Sequence, residues 1–258
     1  MQSARPTVTE RGRAARAALD DTAALVRLRR LVRSVDVNAP PATHVIFASQ
    51  PLSDVRRVGL FAGSFNPLTR AHLAIGEAAR QVAALDAVVW GLAAVTVDKE
   101  HVERASMADR LAQMQVYVGT TSTDALAVFN RGLYVDEAAA LRSHLARDVM
   151  LSILVGFDKI VQIFDPRYYA DRDAALRELF ALAHLLVAPR AGLGAEALAE
   201  LLGRPENRPF ARFVALVPME PAFTDDSSTE ARMLAATLPL PVPSLRRLLP
   251  PEGMALAR

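Results

Sequence analysis

A chain of 258 residues with 52% hydrophobic content can bury one α/β domain plus a helical extension, but it is short for two full domains. Thirty Lys and Arg against 28 Asp and Glu leave a net charge of +2, and Lys99 and Lys159 are the only lysines. With no basic run beyond the N-terminal segment, a nucleic-acid groove is not expected and small anions are the fitting partners. The absence of cysteine excludes disulfides, thiolate chemistry and Cys-type zinc sites, and no apolar run reaches the roughly 18 residues that span a bilayer.

Arg5, Arg11, Arg13 and Arg16 give the N-terminus the look of a targeting peptide, but Glu10, Asp20 and Asp21 interrupt it, so a cytoplasmic protein is expected. Residues 10–34 read as one helix, with Leu19, Val26 and 28–32 at helical spacing, ended by Asn38-Ala39-Pro40-Pro41. It is available for packing or for association into a homo-oligomer. A short strand is read at 44–48, and Pro51 and Ser53 mark a loop. Strand-like runs follow at 58–61, 87–97, 125–128, 149–155, 185–188 and 213–217. They alternate with helical patterns at 69–85, 106–115, 136–145, 172–182, 195–202 and 228–237. Prolines after Leu238 suggest an extended tail with a short helix over 243–249. The alternation predicts βαβ units, hence an α/β fold: a parallel sheet with helices on both faces. The domain is expected over 57–258, preceded by an N-terminal helical extension over 1–56. Ligands should bind at the carboxyl ends of the strands.

The most informative segment is Leu60-Phe-Ala-Gly-Ser-Phe-Asn-Pro-Leu-Thr-Arg-Ala-His72. Val58, Leu60 and Phe61 make a buried strand, Gly63 and Ser64 leave room for close backbone approach, and Pro67 stops the ladder. A helix opens near Thr69, and its unpaired N–H groups and partial positive charge suit phosphate oxygens. His72 either donates an imidazole N–H to a phosphate or is a partly buried structural histidine. Thr69 either contacts phosphate or only caps the helix. Gly156-Phe-Asp-Lys159 after an apolar run is either a ligand-reading strand end or an Asx-type turn. Ser227-Ser-Thr-Glu-Ala-Arg232 is either an ordinary N-cap or a phosphate cradle in which Arg232 offers a bidentate fork. Arg110 reads as a solvated charge. His44, His101, His144 and His184 have no metal-ligand spacing and read as structural or exposed.

Written G-S-F-N-P-x-T-x-x-H, the first segment resembles the phosphate-binding signature of the nucleotidyltransferase superfamily. Thr69 stands where many members have a histidine, and Ala71 stands where they have glycine. Gly156 to Asp158, the aromatic-bearing Phe164 to Tyr169, and Ser227 to Arg232, with Asp226 in place of an isoleucine, follow in the order seen in nicotinamide or nicotinate mononucleotide adenylyltransferases. Val97-Asp-Lys99 and Asn130-Arg-Gly-Leu133 resemble the fungal-type branch.

The resemblance covers about residues 57–235 and implies a Rossmann-like fold and transfer of the adenylyl group of ATP to the mononucleotide, releasing pyrophosphate. It implies ATP contacts from Gly63, Ser64, Phe65, Thr69, His72, Ser228, Thr229 and Arg232, and mononucleotide contacts from Asn66, Lys99, Gly156, Asp158 and Tyr169. His72, Lys99 and Arg232 would carry catalysis, with Mg²⁺ held mainly by ATP phosphates and no protein metal site. Tyr168, Phe164 and Trp90 are alternatives to Tyr169 for stacking on the pyridine ring. Rival readings are another acceptor, such as pantetheine phosphate or a CTP-dependent substrate, and a nucleotide-binding regulatory protein without turnover.

Overall fold

The computed structural model describes residues 20–95, 105–121, 123–220, 228–235 and 242–251, with single residues elsewhere. The first helix, α1 (Thr22–Ser34), starts at Asp21, whose side chain accepts the Ala24 N–H at 2.9 Å. Asp21 is extended, with ψ 91°, and this divides the single helix expected over 10–34. A short polar side chain that bonds its own backbone competes with helix continuation and favours a cap. Leu25 and Leu28 bury the inner face of α1.

After α1 the order is β1 (Thr43–Ala48), β2 (Arg57–Ala62), α2 (Arg70–Ala83), β3 (Ala87–Ala93), α3 (Met107–Gly119), β4 (Ala125–Phe129), α4 (Tyr134–Arg142) and β5 (Met150–Gly156). It continues with α5 (Phe157–Phe164), α6 (Arg172–Leu182), β6 (His184–Ala188), α7 (Ala195–Gly203), β7 (Val214–Leu216), α8 (Ser228–Ala235) and α9 (Val242–Leu248). The seven strands form one sheet in the order β1-β4-β3-β2-β5-β6-β7. All neighbours are parallel except β1, which runs antiparallel to β4 with a register break between Val45 and Phe47. β1 lies in the segment expected to precede the α/β domain, yet it is hydrogen-bonded into the domain's sheet.

The parallel strands are apolar along nearly their whole length because both faces are covered. Along β2, Val58 and Leu60 enter one buried cluster and Phe61 the other; along β3, Ala87 and Val89 part from Val88, Trp90 and Leu92 in the same way. α4, α5, α6 and α7 cover the first face, and α1, α2 and α3 the second. Beneath α2, the buried Asp124 carboxylate accepts from the Arg80 guanidinium, from Val88 N–H and from Trp90 Nε1–H, the last two at 3.1 Å. This joins α2, β3 and the start of β4.

The helix α5 follows β5 without a loop, where a ligand-reading strand end or an Asx-type turn is expected at 156–159 and no helix. Its signal is Phe157, Ile160, Ile163 and Phe164, all buried and at helical spacing. β3 ends at Ala93 rather than continuing to 97; Thr96 and Val97 lie outside the described residues. From β2 the chain adds β3 and β4 on one side and then β5, β6 and β7 on the other, so the direction of strand addition across the sheet reverses at β2 and β5. Such a switch point opens a crevice at the strands' carboxyl ends.

Candidate active site

The turn after β2 is built around a buried ring. Phe65, with φ 40°, is 1% exposed and packs edge-on against Phe61, His72 and Trp90 at centroid distances of 5.4, 5.2 and 5.6 Å. Its buried ring therefore supports the turn. Arg110 on α3 is buried, and its Nη1 donates to the Ser64 carbonyl at 2.6 Å. The solvated charge expected there is instead a strut that fixes the backbone of the turn.

α2 begins with a capping box in which histidine fills the third helical position. Thr69 N–H donates to His72 Nδ1 at 3.0 Å, the Thr69 hydroxyl lies 2.7 Å from the same nitrogen, and His72 N–H points back to that hydroxyl. An Nδ1 that accepts a backbone N–H carries no proton, so the neutral ring keeps its proton on Nε2. Thr69 is fully buried and takes the capping role. Ala71, in place of the expected glycine, is buried at 6% exposure, so its methyl is absorbed by packing.

A cleft opens beyond the carboxyl ends of β2, β3 and β4. Ala62, Gly63 and Ser64 after β2, Ala93 and Val95 after β3 and the aromatic residues Tyr134, Tyr168 and Tyr169 line it, with Glu137 and Lys159. Tyr169 O–H donates to the Ile163 carbonyl at 2.9 Å, which fixes its ring. Burial pushes the phenols of Tyr169 and Tyr134 up, so both stay neutral donors. Of the alternatives for stacking, Trp90 and Phe164 are core residues. Tyr134 was missed; its position at the start of a helix after Asn130-Arg-Gly132 was the available signal.

The loop before Tyr134 is tied down by Asn130. Its Oδ1 accepts Ala42 N–H at 2.8 Å, and its Nδ2 donates to the carbonyls of Asp36 and Pro40, each at 3.0 Å. At Gly132 a Cβ would lie 2.3 Å from the Val95 carbonyl oxygen, so this wall of the cleft admits only glycine.

Gly156 and Asp158 are not among the lining residues. Asp158 instead pairs with Arg190 at 3.1 Å on the exposed rim. Gly156 has φ −77°, and a Cβ there would meet nothing within 4 Å. No protein atom explains this glycine, so Gly156→Ala is expected to leave the melting temperature unchanged or slightly raised while raising KM for a nucleotide substrate. An unchanged KM would remove Gly156 from the site. Asn66 is buried at 4% exposure within the turn.

The C-terminal pair packs beside this turn. Ala231 of α8 buries against Leu245, Leu248 and Leu249, and Arg70 Nε at the first position of α2 donates to the Leu249 carbonyl at 3.5 Å. Glu230, awkward beside polyphosphate, has its carboxylate 3.0 Å from Arg247 Nη2. Thr229 is exposed. Lys99 lies outside the described residues, as do Asp226, Ser227 and the side chains of Ser228 and Arg232. Among the described residues no group of three or more His, Cys, Asp or Glu side chains could hold a metal ion, and no helix is long and apolar enough to cross a membrane.

Glu137 is 3% exposed, and burial, followed by the Asp136 charge, pushes its carboxyl from the ordinary range up to about 8. Between pH 4.5 and 8 the unfolded chain has lost this proton while the folded chain keeps it, so stability is present at low pH and is lost as pH rises through that window. Thermal melts of Glu137→Gln against the parent should diverge toward pH 8, with the variant the more stable; parallel curves would contradict the perturbed carboxyl.

A family model described as cytidylyltransferase-like matches residues 60–234. The chain is 34% identical over 146 residues to a probable nicotinate-nucleotide adenylyltransferase of Laribacter hongkongensis, covering 55% of this chain and 63% of that one. It is 29% identical over 184 residues to another of Gloeobacter violaceus, covering 68% and 82%. Against one from Synechococcus it is 30% identical, covering 57% and 69%. The chain thus spans between about three fifths and four fifths of the length of these relatives. A solved structure of Plasmodium falciparum nicotinic acid mononucleotide adenylyltransferase complexed with NaAD superposes with a TM-score of 0.55 at 13% identity, covering 78% of this chain and 94% of that one, which establishes a shared fold. The same enzyme complexed with APC gives 0.56 at 14%.

Proposed function

Since the chain belongs to the cytidylyltransferase-like family, we propose that it joins ATP to nicotinate or nicotinamide mononucleotide, forming the dinucleotide and pyrophosphate in NAD biosynthesis. The observation that carries this reading is one continuous cleft. It runs from the Gly63-Ser64 phosphate turn to an aromatic wall of Tyr134, Tyr168 and Tyr169 that suits a flat pyridine ring.

In this reading an oxygen of the mononucleotide 5′-phosphate attacks the α-phosphorus of ATP. A new P–O bond forms, the bond to the bridging oxygen breaks, and pyrophosphate leaves with the electron pair. The nucleophile is already an anion at neutral pH, so the protein needs no general base. Its work is to align two anions and to neutralise charge on the leaving group. His72 donates Nε2–H to a phosphate oxygen at the start of α2, where the helix dipole adds to it. Arg110 holds the turn in place through Ser64. Lys99 meets the mononucleotide phosphate, while Ser228, Thr229 and Arg232 at the start of α8 take the β- and γ-phosphates. Magnesium would be held mainly by ATP phosphate oxygens and water and would supply screening of the triphosphate charge.

The test is to mix purified protein, ATP and magnesium with each mononucleotide in turn and to measure pyrophosphate and dinucleotide. Both products should appear with at least one of them. Their absence with both rejects the reading, and product with pantetheine phosphate or from CTP would replace it.

A further inference from the structure

Glu137 has no evident duty in the fold. Its Oε2 is buried and takes no hydrogen bond, and the residue lines the same cleft as Lys159, Tyr134, Tyr168 and Tyr169. A buried carboxyl without a partner costs stability, and a glutamine or an aliphatic side chain would fill the same space with less penalty. The group is therefore kept for something that enters the cleft and completes its hydrogen bonding. A pyridine ring laid against the tyrosine wall carries one polar substituent, a carboxylate or a carboxamide. These two differ in what they ask of a carboxyl group.

Building on the adenylyl-transfer reading above, we propose that Glu137 reads the pyridine substituent. As a neutral acid it donates its O–H to the carboxylate of nicotinate mononucleotide, and as a carboxylate it accepts N–H from the amide of nicotinamide mononucleotide. At neutral pH burial keeps it protonated, since its carboxyl is pushed up to about 8, so the acid substrate is preferred there. Raising the pH ionises it, which repels nicotinate and creates an acceptor for the amide.

The charged groups around it do not duplicate this behaviour. On its own helix, Asp136 lies 3.9 Å from the Arg131 guanidinium, and Tyr134 stays neutral. Of the other cleft residues, Lys159 donates to Gln162 Oε1 at 2.7 Å, and Tyr169 stays neutral. On α6, Arg172 bonds Asp173 and the Phe164 carbonyl, at 2.6 and 2.9 Å, while Arg177 and Glu178 are exposed. His44 on β1 is exposed, and β5 contributes no titratable side chain.

The experiment measures kcat/KM for both mononucleotides from pH 6 to 9.5 in the parent, in Glu137→Gln and in Lys159→Met. The phosphate titrates alike in both substrates and cancels in their ratio. The nicotinate-to-nicotinamide ratio should fall by about tenfold per pH unit in the parent. It should be flat in Glu137→Gln and keep its slope in Lys159→Met. A flat ratio in the parent, or a slope that survives in Glu137→Gln, overturns the proposal; a slope lost only in Lys159→Met assigns the reading to the lysine instead. Absence of dinucleotide with either substrate rejects the activity rather than the role of Glu137.

A second measurement needs no variant. Calorimetry at pH 8 in buffers of different ionisation enthalpy should show proton uptake when nicotinate mononucleotide binds and proton release when nicotinamide mononucleotide binds. The same sign for both would refute the proposal even if Glu137→Gln fails to fold.

Discussion

Replacing His72 with alanine should lower kcat/KM for dinucleotide formation by about 10²–10³-fold, the usual loss when one preorganised donor to a developing anion is removed. The same change deprives Thr69 N–H of its acceptor, so a stability loss of about 1 kcal/mol should accompany it. The two effects can be separated. Glutamate is the ordinary residue at the third position of a capping box, so His72→Glu should recover much of the melting temperature while placing a negative charge where phosphate must bind. Activity in His72→Glu should fall at least as far as in the alanine variant. Near-parental turnover in either one removes His72 from the chemistry and leaves it a capping residue.

Asp124→Ala should produce the largest change in stability. The carboxylate is 1% exposed and accepts from Arg80, Val88 N–H and Trp90 Nε1–H. Removing it takes the buried carboxylate partner from a guanidinium that is itself three-quarters covered and leaves two buried N–H donors without that acceptor. Breaking a buried charge pair on one side costs about 3–5 kcal/mol. For a chain of this size that corresponds to a fall in melting temperature on the order of 10 °C. Asp124→Asn keeps one acceptor oxygen and should lose less. A melt within 2–3 °C of the parent for the alanine variant, near what about 1 kcal/mol would produce, would show that water replaces the lost partner.

The sheet was legible because parallel strands covered on both faces are written as continuous apolar runs, and helices with one buried face as spaced ones. The 149–155 run became β5, and 172–182 became α6 with the same bounds. The phosphate turn was legible for a different reason: glycine, proline and a helix start in close succession leave few alternatives for the backbone. What sequence could not assign is which partner each polar side chain takes. Thr69 reads equally as a ligand or a cap until its burial is known. Arg110 looks solvated on a helix until that helix turns it under Ser64. Asp158 reads as a binding residue because its motif is near a strand end, and in the structure it pairs with Arg190. Glu137 was passed over since an acidic residue in the first turns of a helix is ordinary, and only burial beside the cleft makes it unusual.

Trp90 is the only tryptophan in the chain, so all indole emission comes from one place. That place is fully enclosed, with Phe65 at 5.6 Å and Phe61 at 5.2 Å, and Phe65 in turn touches the His72 ring. The indole therefore lies two rings away from the atom proposed to meet phosphate. A rearrangement of the turn on nucleotide capture reaches solvent-shielded Trp90 through Phe65 and Phe61, both of which touch the His72 ring. The molecule carries its own optical gauge of the turn, blue-shifted in the native state, that needs no label and no engineered residue.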